Sequence, residues 1–257
     1  MHTEETSILS RPHGPVCIDE LVHGEHVFGN ENGLHYSIRL PAQGTPTDSL
    51  VPLVVFLHGA SSRHESDMSA ALAWALPHEI RDAEANGSIP PPSVALLTPL
   101  CPRRTEWKKP LIAAAVLSLI ESVCTRLSTV VDRSRVYLTG VSMGGLGCWE
   151  LGARRPDLFA ALIPICGGGS PVYAPLLRHM PCWFFHSAED NVVACADTDA
   201  LVHALHATGA IDVRYTRYAC CPEPAAQEWM VGHNAWSRSY AMGDLWTWLL
   251  AQHKHKM

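Results

Sequence analysis

From residue 50 onward the chain alternates short, unbroken apolar runs with longer stretches in which apolar positions recur every three or four residues. The runs are PLVVFLHG (Pro52–Gly59), SVALLTP (Ser93–Pro99), RVYLTG (Arg135–Gly140), ALIPICGGG (Ala161–Gly169) and CWFFHS (Cys182–Ser187). A strand with one wet face alternates. A strand apolar at every position is covered on both faces, so these runs predict a parallel sheet between two helical layers. DVRYTRY (Asp212–Tyr218) does alternate and predicts a strand nearer the sheet edge. Helices are predicted at Ser69–Ala85, Leu111–Leu127, the stretch after Ser142, Cys195–Ala207 and Ser237–Gln252. Strand–helix repetition of this kind implies right-handed crossovers and an α/β, doubly wound, mostly parallel sheet of about eight strands.

The N-terminal part follows another rule. GEHVFGNENGLHYSIRLP (Gly24–Pro41) holds two extended runs around an Asn-Gly turn, which predicts an antiparallel hairpin. PAQGTPTDS and NGSIPPPS read as loops punctuated by Gly and Pro. With no long linker, internal repeat or low-complexity tract, residues 1–257 read as a single domain without a large lid, and residues 1–23 as an irregular N-terminal segment.

Composition narrows the function classes. Hydrophobic residues make up 47% and charged residues 17%, enough for a large core and against general disorder. The formal charge is −6, and no Lys/Arg cluster stands out, so neither nucleic acid nor an anionic membrane is the expected partner. The opening MHTEETSILSRPHGP is polar and lacks an apolar signal core. The longest apolar run, LIAAAVLSLI from Leu111, falls short of the roughly 20 residues a membrane span needs. Nine cysteines without CxxC spacing read as reduced thiols and predict a cytoplasmic protein.

Candidate chemistry concentrates in YLTGVSMGGLGCWELG (Tyr137–Gly152). A serine inside an apolar stretch, fenced by glycines, violates local propensity, and such violations mark functional positions. Gly140-Val141-Ser142-Met143-Gly144 between a predicted strand and helix makes a sharp turn that lifts the Ser142 hydroxyl above the sheet. Side chains at the two glycines would collide with neighbouring backbone. A serine hydroxyl needs a base to take its proton and a third group to orient that base. In this architecture they follow in the order serine, acid, histidine. His233, in VGHNAWSRSY after the last predicted strand, is the candidate base; Glu189 and Asp190, in FFHSAEDNVV, compete as the acid. The short aspartate side chain, with fewer rotamers, suits the orienting role better. VVFLHGA ends a strand in His58-Gly59-Ala60. The N–H of Ala60 and that of Met143 are the expected oxyanion donors, and His58 a loop-bracing residue.

These segments carry a resemblance. PLVVFLHGA, RVYLTGVSMGGLGCWELGARRPDLFAALIPICGGG, FFHSAEDNVV and GHNAW are similar to the α/β-hydrolase superfamily. The nearest branch is that of polyhydroxybutyrate-depolymerase-like, feruloyl-esterase-like and dienelactone-hydrolase-like carboxylesterases, some named predicted peptidase or phospholipase/carboxylesterase. The likeness runs from about Gly24 to the C-terminus. It implies an α/β-hydrolase fold and a Ser142–Asp190–His233 triad cleaving a small-molecule ester without metal or other cofactor. The pattern places the acid at Asp190 of Asp190-Asn191-Val192-Val193, leaving Glu189 a solvated loop residue. One departure stands out. Relatives often carry a further glycine after HGA, where this chain has Ser61, Ser62, Arg63 and His64, so a differently shaped oxyanion loop is expected.

Other features take ordinary readings. His203-x-x-His206 lacks a third ligand and reads as surface histidines. Cys220-Cys221 reads as two unreactive thiols, because a vicinal disulfide is strained. Gly167-Gly168-Gly169 precedes no Gly-Lys-Ser/Thr and is no phosphate loop. Trp107, in CPRRTEW after a predicted strand, suits a substrate pocket wall or the core equally. The absence of a long insertion predicts an open site preferring short acyl groups. Peptidase or thioesterase activity on the same triad, and a non-catalytic binding protein on the same fold, stay as alternatives.

Overall fold

The computed structural model describes residues 14–42, 50–86, 93–221 and 230–254. Strands and helices alternate along it much as the apolar runs require. The strands are β1 (His26–Glu31), β2 (Leu34–Arg39), β3 (Val51–Leu57), β4 (Ala95–Pro99), β5 (Val131–Val141), β6 (Ala161–Ile165), β7 (Cys182–Ser187) and β8 (Val213–Tyr218). They form one sheet in the order β1-β2-β4-β3-β5-β6-β7-β8. Strands β4, β3, β5, β6, β7 and β8 are mutually parallel; β1 and β2 pair antiparallel, and β2 pairs antiparallel with β4. The hairpin turns at Asn32 and Gly33, both with positive φ (53° and 83°), the conformation a two-residue hairpin loop needs.

The helices are α1 (Ser69–Leu72), α2 (Ala75–Asn86), α3 (Pro110–Arg126), α4 (Met143–Arg154), α5 (Ala174–Leu177), α6 (Cys195–Ala207), α7 (Trp236–Tyr240) and α8 (Gly243–Leu250). Period-two alternation along β3 divides the core. Leu53, Val55 and Leu57 join one cluster with α3, α4 and α6; Val54 and Phe56 join another with α2, α7 and α8. Both faces of the sheet are therefore covered, which is why the inner strands β3 and β6 are apolar throughout, whereas the edge strands β1 and β8 are mixed. Among the described residues no helix is long and apolar enough to cross a membrane.

Four expectations need correction. The helix expected over Ser69–Ala85 is two helices. Pro77 lies in the first turn of α2, and its ring would clash with the carbonyl four residues back had the helix continued from α1. Ala75 takes φ 53° at the break. The helix expected over Ser237–Gln252 likewise splits, with a new start at Gly243. The strand expected over Ala161–Gly169 ends at Ile165, because Cys166 leaves the β region at φ 42°. Within the N-terminal segment expected to be irregular, Ile18–Glu20 forms a 3-10 turn, and buried Val16 donates its N–H to the Tyr36 hydroxyl at 2.9 Å. The loops expected at 43–49 and 87–92, and residues 1–13, lie outside the described residues.

Candidate active site

Ser142 joins β5 to α4 with φ 56° and ψ −119°, a conformation an L-residue holds at a cost of roughly 1–3 kcal/mol. Its N–H donates to the Ile165 carbonyl at 3.0 Å, and its carbonyl accepts the Leu146 N–H at 3.1 Å, so both flanks pin the turn. The glycines are there for space. A Cβ on Gly140 would lie 2.6 Å from the Gly144 carbonyl group, and one on Gly144 would overlap the Leu57 carbonyl oxygen. Strand β3 and helix α4 thus meet backbone to backbone, which turns the serine outward over the strand ends.

The loop after β3 lies beside this elbow. A Cβ on Gly59 would be in ordinary contact with the Ser142 Cβ, at 3.7 Å. Ala60 opens a 3-10 turn and Met143 opens α4, so in each case the N–H precedes the first turn and has no acceptor within it. His58 braces the loop. Its Nδ1 donates to the Gly59 carbonyl at 2.8 Å and its Nε2 accepts the Cys101 N–H at 3.0 Å. Those partners specify the neutral ring, and burial lowers its pKa to about 4. The expected departure in the loop has a concrete shape. Ser62 Oγ donates to the Ala70 carbonyl, and Arg63 donates to the carbonyls of Ala60 and Thr105, each at 3.0 Å. Side-chain bonds pin this loop where relatives often carry a further glycine.

Trp107 does not wall the site. It is fully buried, donates its indole N–H to the His58 carbonyl at 2.9 Å, and meets the His58 ring edge-on at 5.0 Å. An indole near His58 gains more by burying its rings and satisfying its one donor in the core than by facing solvent. It supports the loop after β3 from beneath.

Asp190 and His233 come together across 43 residues of sequence. His233 Nδ1 lies 2.7 Å from Asp190 Oδ2, and both side chains are buried. Gly232, at φ 75°, allows the approach: a Cβ there would sit 2.6 Å from the Glu189 carbonyl. Asn191 N–H to Val231 carbonyl, at 3.1 Å, ties the two loops. Burial alone would raise the Asp190 pKa. Hydrogen bonds from His186, His233 and the Val193 amide, with the charge of His233, outweigh it and hold the carboxyl well below the usual range. Glu189 is exposed. His186 escaped the sequence reading, although a histidine inside the buried run CWFFHS was a visible signal. It donates to the same Asp190 oxygen at 3.1 Å.

Ser142, His233 and Ala60 border one cavity of about 290 Å³. Its remaining wall includes Phe56, Trp74, Val192, Met230 and Trp236, and no Asp, Glu, Lys or Arg is among its described lining residues. Trp74 and Trp236 were also missed: the first is presented by the α1–α2 break, the second by the start of α7. Among the described residues, Cys166, Asp190 and His233 form a His/Cys/acid group whose donor atoms lie within 4.8 Å of one another. The 2.7 Å Asp190–His233 separation is that of a hydrogen bond, whereas two ligands of one tetrahedral metal would stand roughly 3.3 Å apart. Among the described residues no disulfide joins the cysteines, the neighbours Cys220 and Cys221 included.

No protein-family model and no curated protein matches the sequence. Solved structures do. A thermostable esterase superposes with TM-score 0.66 at 28% identity, over 89% of this chain and 63% of its own. A ferulic acid esterase superposes at 0.62 with 15% identity, over 89% of this chain and 97% of its own. The Pyrococcus horikoshii acylaminoacyl peptidase also reaches 0.62 at 15% identity, over 93% of this chain and 43% of its own. The chain thus spans less than two thirds of the esterase and under half of the peptidase. The sheet order, the elbow after β5 and these likenesses define the α/β-hydrolase fold. The chain adopts the α/β-hydrolase fold, and the solved structures it is similar to include esterases and a peptidase.

Proposed function

We propose that the protein is a serine carboxylesterase that cleaves a small, uncharged ester through Ser142, His233 and Asp190. The observation that carries the reading is the 2.7 Å bond from His233 Nδ1 to a buried carboxylate, bordering the same cavity as a serine held at φ 56°. With Nδ1–H committed to Asp190, the free Nε2 of His233 takes the Ser142 proton as Oγ adds to the substrate carbonyl. The N–H groups of Ala60 and Met143 receive the developing oxyanion. The imidazolium, stabilised by Asp190, returns the proton to the leaving alcohol, and water repeats the sequence on the acyl-enzyme.

The lining supports an uncharged substrate, since an ammonium or carboxylate would find no fixed counter-charge among the described lining residues. The cavity lies at the small end of the ~300–1,000 Å³ typical of ligand pockets, in keeping with short acyl groups. The esterase neighbour at 28% identity favours an ester over a peptide bond. Ser142→Ala should abolish turnover of p-nitrophenyl acetate while leaving the melting temperature within a few degrees of wild type. Retention of more than a few per cent of activity, or no labelling of the wild type by a fluorophosphonate, would overturn the reading. An ester, thioester and peptide panel then ranks the bonds attacked.

A further inference from the structure

Asp190 serves two histidines. Its Oδ1 accepts the amides of Val192 and Val193 at 2.8 and 2.9 Å; its Oδ2 accepts His233 Nδ1 at 2.7 Å and His186 Nε2 at 3.1 Å. We propose that His186 is a positioning residue that aims Oδ2 at His233 and limits the negative charge that oxygen offers it. This rests on the reading of Asp190 and His233 as the acid–base pair.

The donor assignment follows from the partners. His186 Nε2 also lies 3.0 Å from the Val193 carbonyl, so it faces two acceptors and must carry the hydrogen. Nδ1 lies 2.7 Å from Thr198 Oγ1 and therefore accepts the hydroxyl proton. His186, Thr198 and the Asp190 side chain are buried, so water does not replace these bonds. A lone backbone clamp on Oδ1 would leave Oδ2 free to swing about it. The second imidazole removes that freedom and stops β7 and its following loop from drifting apart. It also shares the oxygen that must stabilise the His233 imidazolium. Each donor on a carboxylate oxygen weakens it as an acceptor for the next.

The consequence has a sign. Without His186, Oδ2 holds the Nδ1 hydrogen of His233 more strongly, and the acid limb of kcat/KM moves upward. Among the described residues, Ser142 borders the same cavity as His233, and the Cys166 thiol just past β6 lies within 4.8 Å of both partners' ring and carboxylate atoms; none of the three variants below alters them. Exposed Glu189 is the neighbouring acid on the loop.

The test compares His186→Leu, which removes the donor, with His186→Gln, whose amide nitrogen can stand where Nε2 stood. His186→Leu should lower kcat about tenfold, with KM for p-nitrophenyl butyrate nearly unchanged, and raise the acid limb by about half a pH unit. His186→Gln should restore most of kcat and the wild-type limb. An unmoved limb in His186→Leu, or His186→Gln no better than His186→Leu, overturns the proposal. Should His186→Leu not fold, Thr198→Val carries the test: it removes the donor to Nδ1, and should shift the limb upward by less. No shift there overturns the proposal as well. Activity surviving in Ser142→Ala would instead sink the triad itself, so the two failures are distinguishable.

Discussion

Replacing Asp190 by asparagine changes no more than an oxygen for an NH₂ group, yet four donors converge on that carboxylate. If the amide oxygen keeps Val192 and Val193, the NH₂ confronts two ring N–H groups. His233 must then adopt the other tautomer, accepting at Nδ1 and carrying its hydrogen on Nε2. That nitrogen can no longer take the Ser142 proton. If the amide turns round, the NH₂ meets the two backbone amides instead and the loop loses its clamp. Either arrangement predicts a loss of up to ~10⁴-fold in kcat, the size found when a triad loses its orienting carboxylate. That is about 5.4 kcal/mol of barrier. Glu189→Gln is the control, because its side chain is exposed and takes no part in the cluster. It should cost less than about tenfold, or roughly 1.4 kcal/mol. The assay is p-nitrophenyl acetate turnover at pH 7.5, with circular dichroism to establish that both variants fold. The reverse ranking would refute the assignment of the acid.

Gly144→Ala should destabilise the protein by about 3 kcal/mol or more, because two backbones cannot rotate out of each other's way; the added Cβ would lie 2.6 Å from the Leu57 carbonyl carbon as well as on its oxygen. Urea unfolding checks this, and a change under about 1 kcal/mol with full activity would contradict the elbow packing. His58 predicts a pH dependence. Its folded pKa, about 4, is below the ordinary 6.5, so the unfolded chain binds the extra proton across that window. Stability should fall as pH drops from 6.5 to 4, by about 3 kcal/mol from this group. His26, also lowered to about 4 by burial and by Arg39 and Arg81, acts in the same window. Subtracting the profile of His58→Gln isolates the His58 share, and identical profiles would refute it.

Strands buried on both faces are legible without a structure, because continuous apolarity has few other causes in a short run. Cys182–Ser187 and Cys195–Ala207 end where the pattern says they should. The elbow is legible for a related reason: only backbone crowding explains glycine at both 140 and 144, and chain order then points to Asp190 and His233. Periodicity does not say which side of a layer faces a cavity. Trp107 sits in a loop and reads equally as wall or core, and packing alone puts it under His58; Trp74 sits in what reads as one helix, yet Pro77 and the turn at Ala75 present it to the cavity. His186 is local in sequence but its role is not. Only the crossing of the β7 loop, α6 and the His233 loop brings a second imidazole to Asp190. Local propensity acts over a few residues, whereas a shared carboxylate is decided by where distant segments pack.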